Sequence, residues 1–421
     1  MENLKNLIPA GIILLCMALA HCMLDECLDT PLHSSCGSLL GEEVASYLGG
    51  IAENLPELLP RTDHTDSTIV LFEKFANAHL LTQTNPAQIE KVQSGKMEIG
   101  LSGMNMNNIP ETIEPGLVFK ELRISGARMD DYNPYIKEIV EKFLRALEHV
   151  WVERLRLLWF DIQTEVLTPT AQGISLVVTN ELYLYSPSPP FLVWFCDTVD
   201  LSASEEGIRL ILAWCDTTSI KCLDNLGIQN LFALCVDDLP LLRQIDCRFP
   251  NTSSTGCELS LLDLPNLLSV SKDVANSMAE KEWNHLSVDM PIWNSACCLA
   301  EKCIGVSESL SLVVTSLKDL DVNVCGRGWA QEGIRAERIV IYNNTKETFL
   351  TRAFINAAMD WLRTNASGVL YADIDSHNKE NDPEVEAFIA SAPIEACGLP
   401  NLQTLMISGI GIPFSVAADQ E

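Results

Sequence analysis

Apolar residues recur along the chain in a template that outlasts any single element. Leu234-x-Val236-x-x-Leu239-Pro240-x-Leu242-x-x-Ile245 returns as Leu259-x-Leu261-x-x-Leu264-Pro265-x-Leu267-x-x-Val270, offset by 25 residues at each position. A third copy reads Ile394-x-Ala396-x-x-Leu399-Pro400-x-Leu402-x-x-Leu405, and a looser one runs Leu312-x-Val314-x-x-Leu317-Lys318-x-Leu320. Leu286-x-Val288, Ile339-x-Ile341 and Leu370-x-Ala372 open fainter copies between them. Upstream, Leu210-x-Leu212, Leu176-x-Val178, Leu155-x-Leu157 and Leu122-x-Ile124 open earlier ones. Fixed-period self-similarity is the mark of a repeat architecture. In an apolar-x-apolar strand the two apolar side chains face one way and the middle residue faces the other. One such unit cannot bury its apolar side alone, so neighbours must stack.

Some units also carry a helical stripe. Ile136, Ile139, Val140, Phe143 and Leu144 share one helical face, as do Ala353, Phe354, Ala357, Ala358, Trp361 and Leu362. A mid-twenties spacing with L-x-L cores resembles the leucine-rich-repeat family. The stretch Leu402-x-x-Leu405-x-Ile407-x-x-Ile410-x-Ile412-Pro413 matches its pattern best, with Ile410 where that family carries Asn or Cys. The resemblance covers residues 116–415. It implies an α/β solenoid with parallel strands on a concave face and helices or loops on the convex face. Residues 21–115 lack the repeat and read as a mostly helical N-terminal cap, because terminal repeats need covering.

The ends are different in kind. Lys5, the apolar run Leu7 to Ala20 and the small-x-small site Ala18-Leu19-Ala20 read as a secretory signal peptide over residues 1–20. The run is shorter than the roughly 20 apolar residues of a membrane span, and no later stretch is longer, so no transmembrane segment is expected. Residues 416–421 form a polar tail. Of 15 cysteines, Cys16 lies in the signal, and the remaining even number suits disulfides in an exported chain. Cys196, Cys215 and Cys235 lie in apolar strings and read instead as buried thiols. Sequons at Asn251, Asn343 and Asn365 are candidate N-glycosylation sites.

Charge narrows the partners. With 57 acidic and 28 basic residues the formal net charge is −29. Nucleic acid and anionic membranes are therefore excluded as partners held by bulk electrostatics. Glycine-rich phosphate loops, a G-x-S-x-G elbow and an H-E-x-x-H helix are all missing. We assign no catalytic residue, metal ligand or cofactor. Asp373-x-Asp375-x-His377 with Glu384 echoes a calcium loop, but Asn378 stands where that loop needs glycine.

What remains is the outward face of the strands. It carries Asp237, Asp289, Tyr342, Tyr371 and Asp373, with Asp238 and Asp263 beside them. This partly acidic, partly aromatic surface suits a protein or peptide ligand bearing basic residues. The expectation is a secreted or lumenal, non-enzymatic binding protein. Two alternatives stand beside it: a coat or cell-surface protein cross-linked by disulfides, and an exported hydrolase using Asp63, His64 or Asp66.

Overall fold

The computed structural model describes residues 96–101, 106–109, 111–112, 118–126, 136–160, 173–250, 256–320, 334, 336–345, 350–366, 368–376, 399 and 401–413. The signal peptide, Asp63, His64, Asp66, Asn251, His377, Glu384 and most of the expected cap lie outside the described residues.

The strands are β1 Lys96–Gly100, β2 Val118–Ser125, β3 Trp151–Leu158, β4 Ile174–Ser175, β5 Val177–Tyr185, β6 Val199–Asp200, β7 Ile208–Ala213 and β8 Leu231–Asp237. They continue with β9 Glu258–Leu262, β10 Glu282–Asp289, β11 Gly305–Val314, β12 Arg338–Asn343, β13 Tyr371–Ser376, β14 Thr404–Ile407 and β15 Ile410–Pro413. The helices are α1 Ile136–Ala146, α2 Pro189–Thr198, α3 Lys272–Ala279, α4 Met290–Leu299 and α5 Arg352–Asn365, with short 3-10 turns η1 Met106–Asn108, η2 Lys221–Leu226 and η3 Leu317–Leu320.

Thirteen of the strands form one sheet in the order β1-β2-β3-β5-β7-β8-β9-β10-β11-β12-β13-β14-β15. Every pairing is parallel except the last, β14 with β15. The chain is thus an α/β protein that advances one strand at a time along a long, mostly parallel sheet.

The register explains the apolar template. Leu122, Leu155, Leu182, Leu210, Leu234, Leu259, Leu286, Leu310, Ile339, Ala372 and Leu405 pair one to the next across the sheet. A second column, from Ile124 through Val236 to Ile407, runs beside it. No residue of either column is more than 2% exposed. Both pack into one core with Phe143, Trp194, Trp293 and Trp361 of the helices. At about 25 cal/mol per Å² of apolar surface, this continuous burial is the dominant stabilising term. The turn positions Leu239, Leu242, Leu264 and Leu267 are equally buried, whereas Leu317 of the looser copy is exposed. Leu242 N–H donates to the Leu239 carbonyl at 3.1 Å, and Leu267 to Leu264 at 2.9 Å.

Three repeat starts differ from the sequence expectation. The strand following β10 enters the ladder at Leu310, not Leu312, because Leu310-x-Leu312-x-Val314 offers two equivalent registers and pairing with Leu286 selects one. For the same reason β13 enters at Ala372 rather than Leu370. Strand β5 enters at Leu182 rather than Leu176. In the third copy Ile394 and Ala396 lie outside the described residues; Leu399 and Leu402 form the expected turn, and Thr404–Ile407 joins the sheet after it. Beyond it the chain does not step on to a further repeat. Ser408 and Gly409, at φ 52° and 77°, make a two-residue turn of the kind that suits hairpins, and β15 folds back antiparallel.

The sheet also starts earlier than expected. β1 pairs in parallel with β2, with Met97 opposite Leu122 and Ile99 opposite Ile124, so residues 96–100 belong to the sheet and not to a helical cap. The two helical stripes fall on α1 and α5. Thr351 caps α5 by accepting the Phe354 N–H.

Candidate partner-binding face

The face opposite the core is built from the residues between and beside the two buried columns. Three outward columns cross it. The first runs Glu121, Arg154, Glu181, Arg209, Ala233, Glu258, His285, Ser309, Arg338, Tyr371 and Thr404. The second runs Arg123, Arg156, Tyr183, Ile211, Cys235, Ser260, Ser287, Ser311, Val340, Asp373 and Met406. The third runs Ser125, Leu158, Tyr185, Ala213, Asp237, Leu262 and on to Asp289's neighbours Val313, Tyr342 and Asp375.

Charge on the first two columns is largely compensated. Glu121, 2% exposed, lies between Arg123 at 2.8 Å and Arg156 at 3.6 Å. Arg156 also reaches Glu181 at 3.1 Å. Arg209 and Glu258 pair at 2.5 Å across Ala233, the small residue between them in register, which is fully buried beneath the pair. Arg338 pairs with Asp373 at 3.1 Å. Spacing Arg209 and Glu258 two strands apart lets the long arginine side chain cover the small Ala233, as amphipathic stems do.

The C-terminal edge of β7–β9 is different. Asp237 ends β8, Asp238 and Asp263 follow β8 and β9 at φ 51° and 52°, and Asp216 lies close by. Asp is among the few non-glycine residues that tolerate this left-handed conformation. Among the described residues no ion pair engages any of these four. Asp263 accepts one hydrogen bond, from Asn344 Nδ2 at 2.9 Å. Flat spacing would hold Asp263 and Asn344, three strands apart, about 14 Å from each other. The bond therefore requires the ends of β9 and β12 to lean together over β10 and β11. Burial, then the Asp263 and Asp238 charges, hold the Asp237 carboxyl above its ordinary range. Burial, then Asp263 and Asp216, do the same for Asp238.

Asp289 belongs to this cluster but has a different task. It is 4% exposed, and its two oxygens accept the backbone N–H groups of Asp263 at 3.3 Å and Leu264 at 2.9 Å. At the equivalent step of the preceding repeats the acceptor is a strand carbonyl, for example Leu262 O for the Asp238 N–H. β10 runs directly into α4 with Asp289 as its N-cap, so a side chain replaces the carbonyl. Burial pushes its carboxyl up to about 6, against the opposing pull of the two N–H groups.

The other predicted face residues lie apart. Tyr342 sits beside Asp375 on β12 and β13, and burial with the Asp375 charge raises its phenol. Tyr371, 38% exposed, is in the first column, about 13 Å along the strand direction from the level of Tyr342. Its hydroxyl donates to Gln403 Oε1 at 3.3 Å. The sheet therefore does not gather Tyr342, Tyr371 and Asp373 into the Asp237–Asp263 cluster. Asp373 and Asp375 stand two residues apart on the open face of β13, and His377 and Glu384 of the calcium-loop pattern lie outside the described residues.

Two of the three sequon asparagines are described. Asn343 is 5% exposed and its Oδ1 accepts the Thr345 N–H, so a glycan there would require the end of β12 to open. Asn365 closes α5 with its Nδ2 bonded to the Trp361 carbonyl at 2.9 Å. Among the described residues no two cysteines stand at disulfide distance. Burial pushes the thiols of Cys215 and Cys247 up to about 12 and that of Cys235 to about 11, as expected of inert buried sulfur.

Sequence reasoning missed the aromatic residues that flank the acids. Trp159 meets Tyr185 edge to face at 5.9 Å, and Tyr185 meets Trp214 at 6.0 Å. These residues are separated by a whole repeat, and only the register brings them together. No protein-family model matches this chain, and neither a curated protein nor a solved structure matches it. Among the described residues no helix is long and apolar enough to cross a membrane.

Proposed function

We propose that the chain is an exported, non-enzymatic repeat protein of the leucine-rich-repeat kind that binds a basic protein or peptide through the open face of its sheet. The stacked apolar columns support the repeat reading, and a stacked array presents a long surface suited to extended ligands. One observation carries the binding reading. The charges on the face are mostly neutralised by the chain's own arginines, but Asp216, Asp237, Asp238 and Asp263 have no cationic partner among the described residues. Burial first, and then the repulsion of the neighbouring carboxylates, raise the Asp237 and Asp238 carboxyls. A cationic ligand relieves that repulsion and is steered to it by the net charge of −29.

The test is charge reversal. A chain carrying Asp237→Lys, Asp238→Lys and Asp263→Lys, checked for native melting behaviour, is compared with the unaltered chain in affinity capture from the source cells. The expected result is a bound protein that the variant fails to retain. Equal capture by both chains would place the contact elsewhere.

A further inference from the structure

The turn that follows each strand places one side chain at the same point of its repeat. Trp159, Ser186, Trp214, Asp238 and Asp263 all occupy it, each with φ between 51° and 58°. Each of the first four donates its backbone N–H to the next strand, Trp159 to Tyr185 O, Ser186 to Ala213 O, Trp214 to Asp237 O and Asp238 to Leu262 O. One row along the edge of the sheet therefore carries tryptophan after β3 and β7, serine after β5 and aspartate after β8 and β9. Trp214 stands at the junction and is 58% exposed. A tryptophan gains little at such a place from burial, and its bulk makes the left-handed conformation costly.

The same sheet shows what a ring beside a carboxylate can hold. The guanidinium of Arg156 lies 5.8 Å from the Tyr183 ring while it pairs with Glu181 at 3.1 Å. Arg209 lies 6.0 Å from the Phe232 ring while it pairs with Glu258 at 2.5 Å. Twice, then, an arginine of the chain is held between an aromatic face and a carboxylate, once from the adjacent strand and once from two strands away. Trp214 and Asp238, on adjacent repeats, present the same combination to solvent, and no described cation pairs with Asp238.

We propose that the Trp214–Asp238 junction docks an arginine side chain of the partner, the guanidinium lying on the indole and forking its N–H groups to the Asp238 carboxylate. This rests on the reading of the acidic edge as a binding face for a basic ligand, and it names the residue recognised. Arginine fits better than lysine, because its planar, weakly hydrated group stacks on a ring and bonds a carboxylate in pairs. The adjoining Tyr185 and Trp159 rings extend the ledge along the direction in which repeats stack. An extended segment with arginines at intervals suits it.

The probe is a fluorescently labelled peptide of arginine alternating with glycine and serine, titrated against the full chain by anisotropy. Matched peptides carry lysine or citrulline in place of arginine. The arginine peptide binds, the lysine peptide binds more weakly, and the uncharged citrulline peptide does not bind. Trp214→Ala weakens arginine binding about fivefold, and Trp214→Phe restores part of it. Trp214 is exposed, so both variants keep the native melting profile. If Trp214→Ala and the unaltered chain bind alike while the triple lysine variant loses binding, the arginine junction is wrong and the acidic face stands. If the triple lysine variant binds as the unaltered chain does, both fall. Equal binding of the lysine and arginine peptides, no binding of the arginine peptide, or Trp214-dependent binding of a neutral oligosaccharide in its place would each overturn the junction.

Discussion

Asp289 shows how much one residue can decide. Its carboxylate takes over the role of a strand carbonyl, and it does so at 4% exposure. The folded state holds its pKa at about 6, above the ordinary 3.8, so on acidification the folded chain takes up this proton before the unfolded chain does. The resulting stabilisation is complete below about pH 4 and is lost as the pH rises through about 6, an effect on the order of 3 kcal/mol. Asp237, Asp238 and Asp373 are raised in the same sense. The denaturant midpoint should therefore rise from pH 7 to pH 5, and Asp289→Asn should flatten that rise. A midpoint that falls over this interval, in both chains, would contradict the placement of these carboxyls.

At the scale of the element, each strand earns its place by two inward side chains and very little by its outward ones. Leu234 and Leu259 face each other across β8 and β9, at 0% and 1% exposure. Leu234→Ala and Leu259→Ala should each cost about 2–5 kcal/mol in guanidinium denaturation. The double variant should depart from the sum, because the two side chains share one cavity. Ser260→Ala, one residue along β9 on the open face, should stay within about 0.5 kcal/mol. Comparable losses at Ser260 and Leu259 would reverse the assignment of core and open faces.

For the whole molecule the competing terms are repulsion among the surplus carboxylates and the attraction of the arginine–glutamate ladder. Partly exposed ion pairs are worth about 0–1 kcal/mol each. Net charge of −29 acts over the whole surface. Screening shortens from about 30 Å at 0.01 M salt to about 3 Å at 1 M. Repulsion should lose more than the ladder does, so the melting temperature should rise with sodium chloride. A fall would mean that the ladder of Glu121, Arg156 and Glu181 outweighs the surplus charge.

Much of the architecture was legible before any coordinates. The strands at 122, 155, 210, 234, 259, 286 and 339, the helices at 136 and 352, and the acids Asp237, Asp238 and Asp263 could be read from spacing. Burial of every second residue is a local property of a strand, so alternation in the chain reports it directly. Other features depend on what lies beside the strand. Leu310 and Leu312 are equally good starts until Leu286 selects one. Met97 joins the sheet only because Leu122 pairs with it. Asp289 and Asp263 look alike in sequence, yet one is buried under two backbone N–H groups and the other is exposed. The row of Trp159, Tyr185 and Trp214 exists only once the repeats are in register. The sequence by itself determined the repeat and the inward columns, because each follows from the chain's own periodicity. Only the tertiary structure decided which outward residues are spent within the fold and which meet solvent, because that depends on side chains a whole repeat away.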